Sequence, residues 1–432
     1  MQTLNIFIIG LNGFNLKKLK KLNEARFYNF HNLLDPSDII DAESYGIESI
    51  LQKAREELRS YKEAPDAIVG YVDFPVSTIV PILAEEFGTY GTSLESLLKC
   101  EHKYWSRMEQ YKVIPDNIPE FQTFDPFDGE AFNKLEVPLP LWIKPVKSFA
   151  SHLGFRIESK DRFENACQQI QKKIPGIDDA FQKVTQRVDL PEEILELPGS
   201  SCIAESIIGG NHQCTLEGAV HERNPYFHGM IDSVRIPGTS VFERNEYPSE
   251  LPNSVQERMR DLASRFIERA DFDNAAFNIE FYWDSEADEI RFLEINTRVA
   301  KHHSELFEKV DGVPNQKAAL DVAFGREPIF PSDQGEFKKA AVFFVREKED
   351  QYVHSIPSKD DIEGIEKEFP GSTIQLRIEE GIKLSELHEQ DSYSYIIGLI
   401  YVGGNSSQDL LVKKNAIEER LGIEYEEVPE GS

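Results

Sequence analysis

The segment from Phe277 to Arg298, FNIEFYWDSEADEIRFLEINTR, constrains the fold more than any other part of the chain. Two strand-like runs flank a polar turn, the pattern of an antiparallel hairpin. Strand side chains alternate between faces, so Glu294, Asn296 and Arg298 point one way and Leu293 and Ile295 the other. Glu280 stands likewise between Ile279 and Phe281. With Asp284 to Glu289 as the turn, Glu280 falls roughly opposite Glu294. Carboxylates about 5 Å apart repel by roughly 3 kcal/mol at an effective dielectric of about 20. A cation between them removes that repulsion, and Mg²⁺ takes one or two carboxylates with phosphate oxygens and water completing its shell. Glu280, Glu294 and Asn296 are therefore candidate metal ligands. The competing reading is a solvated amphipathic hairpin, since charged residues usually face water.

A chain of 432 residues suggests about three domains of ordinary size. Its formal charge of -29 opposes non-specific binding to nucleic acid or acidic membranes. An anionic nucleotide would need placed lysines, arginines and a metal ion to bind against that field. Cys100, Cys167, Cys202 and Cys214 are widely spaced, which indicates neither a zinc site nor a disulfide framework but buried thiols in a reducing compartment. The apolar run Leu4 to Ile9 has no basic segment before it and reads as a strand rather than a signal peptide. No apolar stretch approaches the ~20 residues that span a bilayer, so a cytoplasmic protein is expected.

Leu4 to Ile9, then Gly10 and Gly13, then the helical pattern LKKLKKLNEA, begin an α/β sheet. Two glycines alone do not make the dinucleotide fingerprint. Asp66 to Val72 reads as a second buried strand ending at Asp73, with a helix over Ser77 to Phe87. Further strands are expected at Leu141 to Val146, Ser201 to Ala204 and Gln213 to Val220, and helices at Asp161 to Ile174, Ser254 to Arg269 and Leu306 to Phe324. The proline-bearing stretch His221 to Pro252 is expected to be a long irregular binding loop. Beyond Pro328 to Gly335 come strands at Ala340 to Val345, Ser372 to Arg377 and Tyr395 to Val402, then a helix over Asp409 to Leu421.

The hairpin resembles the metal-binding end of the ATP-grasp superfamily, whose first strand carries an acid and whose second reads Glu-Ile-Asn-x-Arg. The run GTYGTSLESLLKCEHKYWSRM resembles that family's exit from its N-terminal domain. The resemblance implies an α/β and α+β chain of three domains: an N-terminal α/β domain at 1–97, an ATP-grasp module at 98–330 hinged near 203–210, and a C-terminal mixed α/β domain at 331–432. It makes Lys103 and Lys144 the phosphate-contacting lysines. KSFASHLGFR stands where the family has a glycine-rich loop over the phosphates, so Ser148, Ser151 and His152 would take over part of that role. Glu205 fits the hinge acid beside adenine, with Ile203, Ile207 and Ile208 as apolar walls. His212 takes the place of a ribose-binding acid. Arg298 would offer a planar fork to the transferring phosphoryl group, its alternative being a surface ion pair. Lys301, His302, His303 and Ser304 replace the small residues usual near the acceptor.

What this implies is an ADP-forming, ATP-dependent carboxylate–amine ligase working through an acyl phosphate. Its cofactors would be ATP and Mg²⁺, with Mn²⁺ as a substitute. Its partners would be a small carboxylate and an amine, with no nucleic acid, no membrane and a homodimer as one allowed assembly. Two alternatives remain open: a carboxylase-type enzyme using bicarbonate, and a nucleotide-binding module without turnover.

Overall fold

The computed structural model describes residues 3–35, 39, 46–147, 153–236, 239, 241–387 and 394–426. Three parallel strands, β1 (Leu4–Ile9), β2 (Tyr28–Leu34) and β3 (Ala67–Gly70), pair in the order β2-β1-β3. β1 is buried on both faces, as strands of parallel sheets are. Phe7 and Ile9 pack with Leu51 and Ile79 of the flanking helices Ile47–Ser60 and Val76–Phe87. Ile6 and Ile8 pack instead with Ala219, Ala276 and Val322, which fixes this layer against the rest of the molecule. The helix expected from the lysine and leucine pattern is only Gly13–Leu19, with Asn12 capping it through the Asn15 N–H.

A four-stranded antiparallel sheet holds β4 (Phe121–Phe124), β5 (Leu141–Pro145), β6 (Phe155–Ile157) and β7 (Cys202–Ser206) in the order β4-β7-β5-β6. The long helix Lys160–Thr185 covers one face, where Phe163, Ile170 and Ile174 meet Leu141, Ile143, Cys202 and Ala204. Alternation then sends Lys144, Ile203 and Glu205 to the other face.

An eight-stranded antiparallel sheet comprises β8 (His212–His221), β9 (Asn224–Arg235), β10 (Phe242–Tyr247), β11 (Ala275–Asp284), β12 (Glu289–Asn296), β13 (Lys339–Glu347), β15 (Ser372–Leu376) and β16 (Tyr395–Gly404). Their order is β12-β11-β8-β9-β10-β13-β16-β15, so one sheet runs across residue 330 through the β10–β13 pairing. β14 (Tyr352–Ser355) pairs separately with β17 (Glu424–Glu426).

Two expectations are corrected. His221 to Pro252 is no loop: it contains β9 and β10, both inside the large sheet. β9 returns from β8 through Glu222 and Arg223, whose φ values of 49° and 65° give the left-handed two-residue turn that matches strand twist. Neither residue is the glycine or asparagine that announces such a turn, and the nearby prolines suggested a loop. The single helix expected over Leu306 to Phe324 is two, Ser304–Asp311 and Gln316–Ala323, because Gly312 takes φ +82° and Pro314 follows. Among the described residues no helix is long and apolar enough to cross a membrane. All four cysteines are buried and unpaired.

Candidate functional site

The hairpin forms with Asp284 opposite Glu289, the expected turn. A straight ladder from that pair would set Glu280 against Leu293. Instead a bulge intervenes, because Phe281 pairs with Phe292 while Glu280 pairs with Glu294. Leu293 is the extra residue, and the bulge is what brings the two carboxylates face to face. Buried positions in β12 therefore change parity, Ile290 and Phe292 before the bulge and Ile295 after it. The uniform alternation expected from the sequence does not run the length of the strand.

Among the described residues Glu280 receives one hydrogen-bond donor, the Gln213 amide at 3.1 Å. Gln213 is itself held through its oxygen by Arg235 at 2.9 and 2.6 Å, and Arg235 also reaches the Tyr282 hydroxyl at 2.6 Å. Burial, and then Glu294 across the ladder, push the Glu280 carboxyl above its usual range. Glu294 has Lys103 at 3.3 Å, and that ammonium holds its carboxyl below the usual range despite burial. Asn296 donates its amide to Asn278 at 2.9 Å, and Asn278 donates to the Arg298 carbonyl at 2.8 Å. This chain fixes the Asn296 amide by its nitrogen, which leaves the oxygen as the group to offer a ligand. Two carboxylates and an amide oxygen suit a hard cation that draws its remaining oxygens from phosphate and water. Among the described residues no group of three or more His, Cys, Asp or Glu could hold a metal unaided.

Lys144, on β5, places its ammonium 2.8 Å from Glu205 on β7. The other Glu205 oxygen accepts from Arg107 at 2.6 Å. Burial would raise the Glu205 carboxyl, but Arg107 and Lys144 outweigh it and bring it down to about 2. Burial draws the Lys144 ammonium below its ordinary value in spite of Glu205. Ile203 is fully buried on the same face, Ile208 is half-buried and Ile207 exposed. His212 is exposed at the start of β8, its ring 5.1 Å from that of Trp283. Gly210 has no room for a side chain, since a Cβ would lie 2.4 Å from the Trp283 carbonyl oxygen. Ser148, Ser151 and His152 lie outside the described residues. Just before them, Lys147 pairs with Glu101, which also accepts from Ser77 at 3.0 Å and from the Thr297 hydroxyl.

Arg298 forms a part-buried ion pair. Its Nε and Nη2 each donate at 2.7 Å to the two oxygens of Asp73, which lies just past the carboxyl end of β3. Burial would lower the guanidinium pKa, but Asp73 more than compensates and raises it. Beyond Arg298, Glu217 of β8 accepts from the Ala300 N–H at 3.3 Å and from Asn315 at 2.9 Å, and its carboxyl shares a 2.6 Å hydrogen bond with His303 Nδ1. Burial pushes Glu217 up to about 7 and His303 down to about 3. His302 is likewise driven well down by burial, with its ring 6.0 Å from that of Phe344.

Sequence reasoning missed Asp73, Glu101, Arg107, Gln213, Glu217, Arg235 and Asn278 as members of this neighbourhood. Two of them carry a local signal. Asp73 follows a strand of a parallel sheet, where ligand-facing residues gather. Arg107 stands four residues after Lys103 on the helix Lys103–Val113, hence on its face. Glu101 ends the helix Leu94–Glu101, and the others are polar residues of β8, β9 and β11, visible only once the sheet is assembled.

The family model for the carbamoyl-phosphate synthase L chain ATP-binding domain matches residues 245–328. No curated protein matches the chain. Among solved structures, an L-amino acid ligase from Bacillus licheniformis superposes with a TM-score of 0.71 at 13% identity, over 99% of this chain and 100% of that one. A carboxyaminoimidazole ribonucleotide synthase from Aspergillus clavatus, complexed with ATP, gives 0.67 at 12% identity, over 97% and 98%. Biotin carboxylase from Campylobacter jejuni gives 0.64 at 15% identity, over 97% and 92%. At these identities the likeness is one of fold, and it extends along the whole chain.

Proposed function

We propose that this chain, a member of the ATP-grasp superfamily by fold, is an ADP-forming ATP-dependent carboxylate–amine ligase that activates a carboxylate as an acyl phosphate. The observation that carries the reading is the bulged hairpin, which sets Glu280 against Glu294 while Lys103 reaches Glu294 and Lys144 waits on the facing sheet. A second support is that the neighbours in fold include an amino acid ligase and a synthase complexed with ATP.

In this reading the nucleotide lies between the four-stranded sheet and the large sheet. Lys103 and Lys144 neutralise its phosphate oxygens, and the hinge after Glu205, with Ile203, Ile208 and His212, receives adenosine. Glu280, Glu294 and the oxygen of Asn296 are the residues that would hold Mg²⁺. Bound there, the ion supplies positive charge against the phosphate oxygens and removes the repulsion between the two carboxylates. Ser148 and Ser151 belong to the loop proposed to cover the phosphates. Arg298, kept in one orientation by the two-point contact with Asp73, presents its remaining edge to the transferring phosphoryl group. The protein's contribution to such a transfer is positioning and charge stabilisation.

The acceptor side is bounded by Lys301, His302 and the Glu217–His303–Asn315 cluster. The test is phosphate release from ATP across a matrix of carboxylates and amines, with bicarbonate as a separate arm. Release that requires both a carboxylate and an amine supports the ligase. Release that depends on bicarbonate alone replaces it with a carboxylase, and binding without release replaces it with a non-catalytic module.

A further inference from the structure

Arg107 is almost wholly buried at 3% exposure, and every side of its guanidinium is engaged. Nε donates to Glu205 at 2.6 Å, and Glu205 holds Lys144 at 2.8 Å. Nη2 donates to the Leu293 carbonyl at 2.7 Å and Nη1 to the Phe292 carbonyl at 3.3 Å, with the Gln110 amide oxygen as a further partner. Phe292 and Leu293 are the residues at the bulge that sets Glu280 against Glu294. A bulge disrupts the regular ladder locally and leaves its extra residue unpaired. A buried backbone carbonyl without a partner is costly, so a fixed donor there decides whether the bulged register is favoured over the straight one. One helical turn earlier on the same helix, Lys103 meets the side chain of the next residue, Glu294.

We propose that Arg107 is a positioning residue that couples the nucleotide lysine to the carboxylate pair. This rests on the nucleotide and metal roles proposed above. Arg107 touches neither nucleotide nor metal. Its fork joins the hinge acid to the bulge, so the state of Lys144 and Glu205 and the spacing of Glu280 and Glu294 are set by one rigid group. Lysine in its place keeps a charge for Glu205 but has no planar fork to span both partners.

The test compares dissociation constants for ADP alone and for ADP with saturating Mn²⁺, by calorimetry, in the wild type and in Arg107→Lys. The ratio of the two constants reads the carboxylate pair separately from the nucleotide lysine. The expected result is a metal-dependent gain at least about tenfold smaller in Arg107→Lys, together with faster amide exchange across residues 290–296. Glu205→Gln, which keeps Arg107 but removes its carboxylate anchor, should reduce the same ratio. A ratio unchanged in both variants overturns the coupling, as does an unchanged ratio in Glu205→Gln should Arg107→Lys fail to fold. If the wild-type protein binds no ADP, the nucleotide reading itself fails and this proposal falls with it.

Discussion

Glu205 is buried and Glu280 half-buried, and their surroundings push the two carboxyls in opposite directions. Glu205 has a cation on each oxygen, Arg107 at 2.6 Å and Lys144 at 2.8 Å, and its carboxyl falls to about 2. Glu280 has a neutral amide donor and a second carboxylate across the ladder, and its carboxyl rises. The first acid is satisfied by the protein alone. The second has no cation as a hydrogen-bond partner among the described residues, which is the arrangement the proposed metal site requires. The two carboxylates differ in their partners: two cations for Glu205, an amide and an opposed carboxylate for Glu280.

The largest effect expected from this contrast is on stability at Glu205. Glu205→Gln leaves Arg107 and Lys144 buried without a counter-charge, which costs about 3 kcal/mol. Denaturant unfolding should show that loss, and an unchanged midpoint would mean the two cations find other partners. At the other acid site the effect should fall on turnover. Glu294→Gln should lower ATP-dependent phosphate release at least ~100-fold with little change in melting, because an amide binds Mg²⁺ poorly and charge stabilisation of the phosphoryl group is lost. Full activity at saturating Mg²⁺ would remove Glu294 from the ligand set.

The sequence revealed one side of the contrast better than the other. The juxtaposition of Glu280 with Glu294 was legible because a hairpin is local and its alternation can be counted. Even there the outcome depended on a bulge at Leu293 that no residue type announces, and that is held by Arg107 from a helix about 185 residues earlier in the chain. The order of most strands and helices was legible from apolar periodicity. β9 and β10 were not, since Glu222 and Arg223 adopt a turn usually built from glycine or asparagine. Asp73 as the partner of Arg298, and Glu217 as the partner of His303, come from contacts between distant segments that no local pattern encodes.

Glu217 sharpens the comparison through pH. Its carboxyl sits at about 7 in the folded chain against an ordinary value of 4.5, chiefly through burial. Between those values the folded state holds a proton that the unfolded state has released. Stability from this group is fully present below 4.5, declines as pH rises, and is lost above about 7, with a slope of at most about 1.4 kcal/mol per pH unit. Glu217→Gln should remove that slope from a series of unfolding curves between pH 5 and 8. The same slope in the variant would assign the proton to another group.

The most direct test of the central claim, that Glu280 and Glu294 form a site awaiting a cation, is a thermal melt of Glu280→Gln beside the wild type, with ADP and with ADP plus Mg²⁺. Without metal, the variant should melt at the same temperature or slightly higher, by the equivalent of roughly 1 kcal/mol, because a like-charge repulsion has been removed. With metal, the wild type should gain a further increment over ADP alone, by mass action on the folded state, and the variant should lose most of it. A variant that keeps the full Mg²⁺ increment, or that melts lower without metal as Glu205→Gln is expected to, would contradict the account.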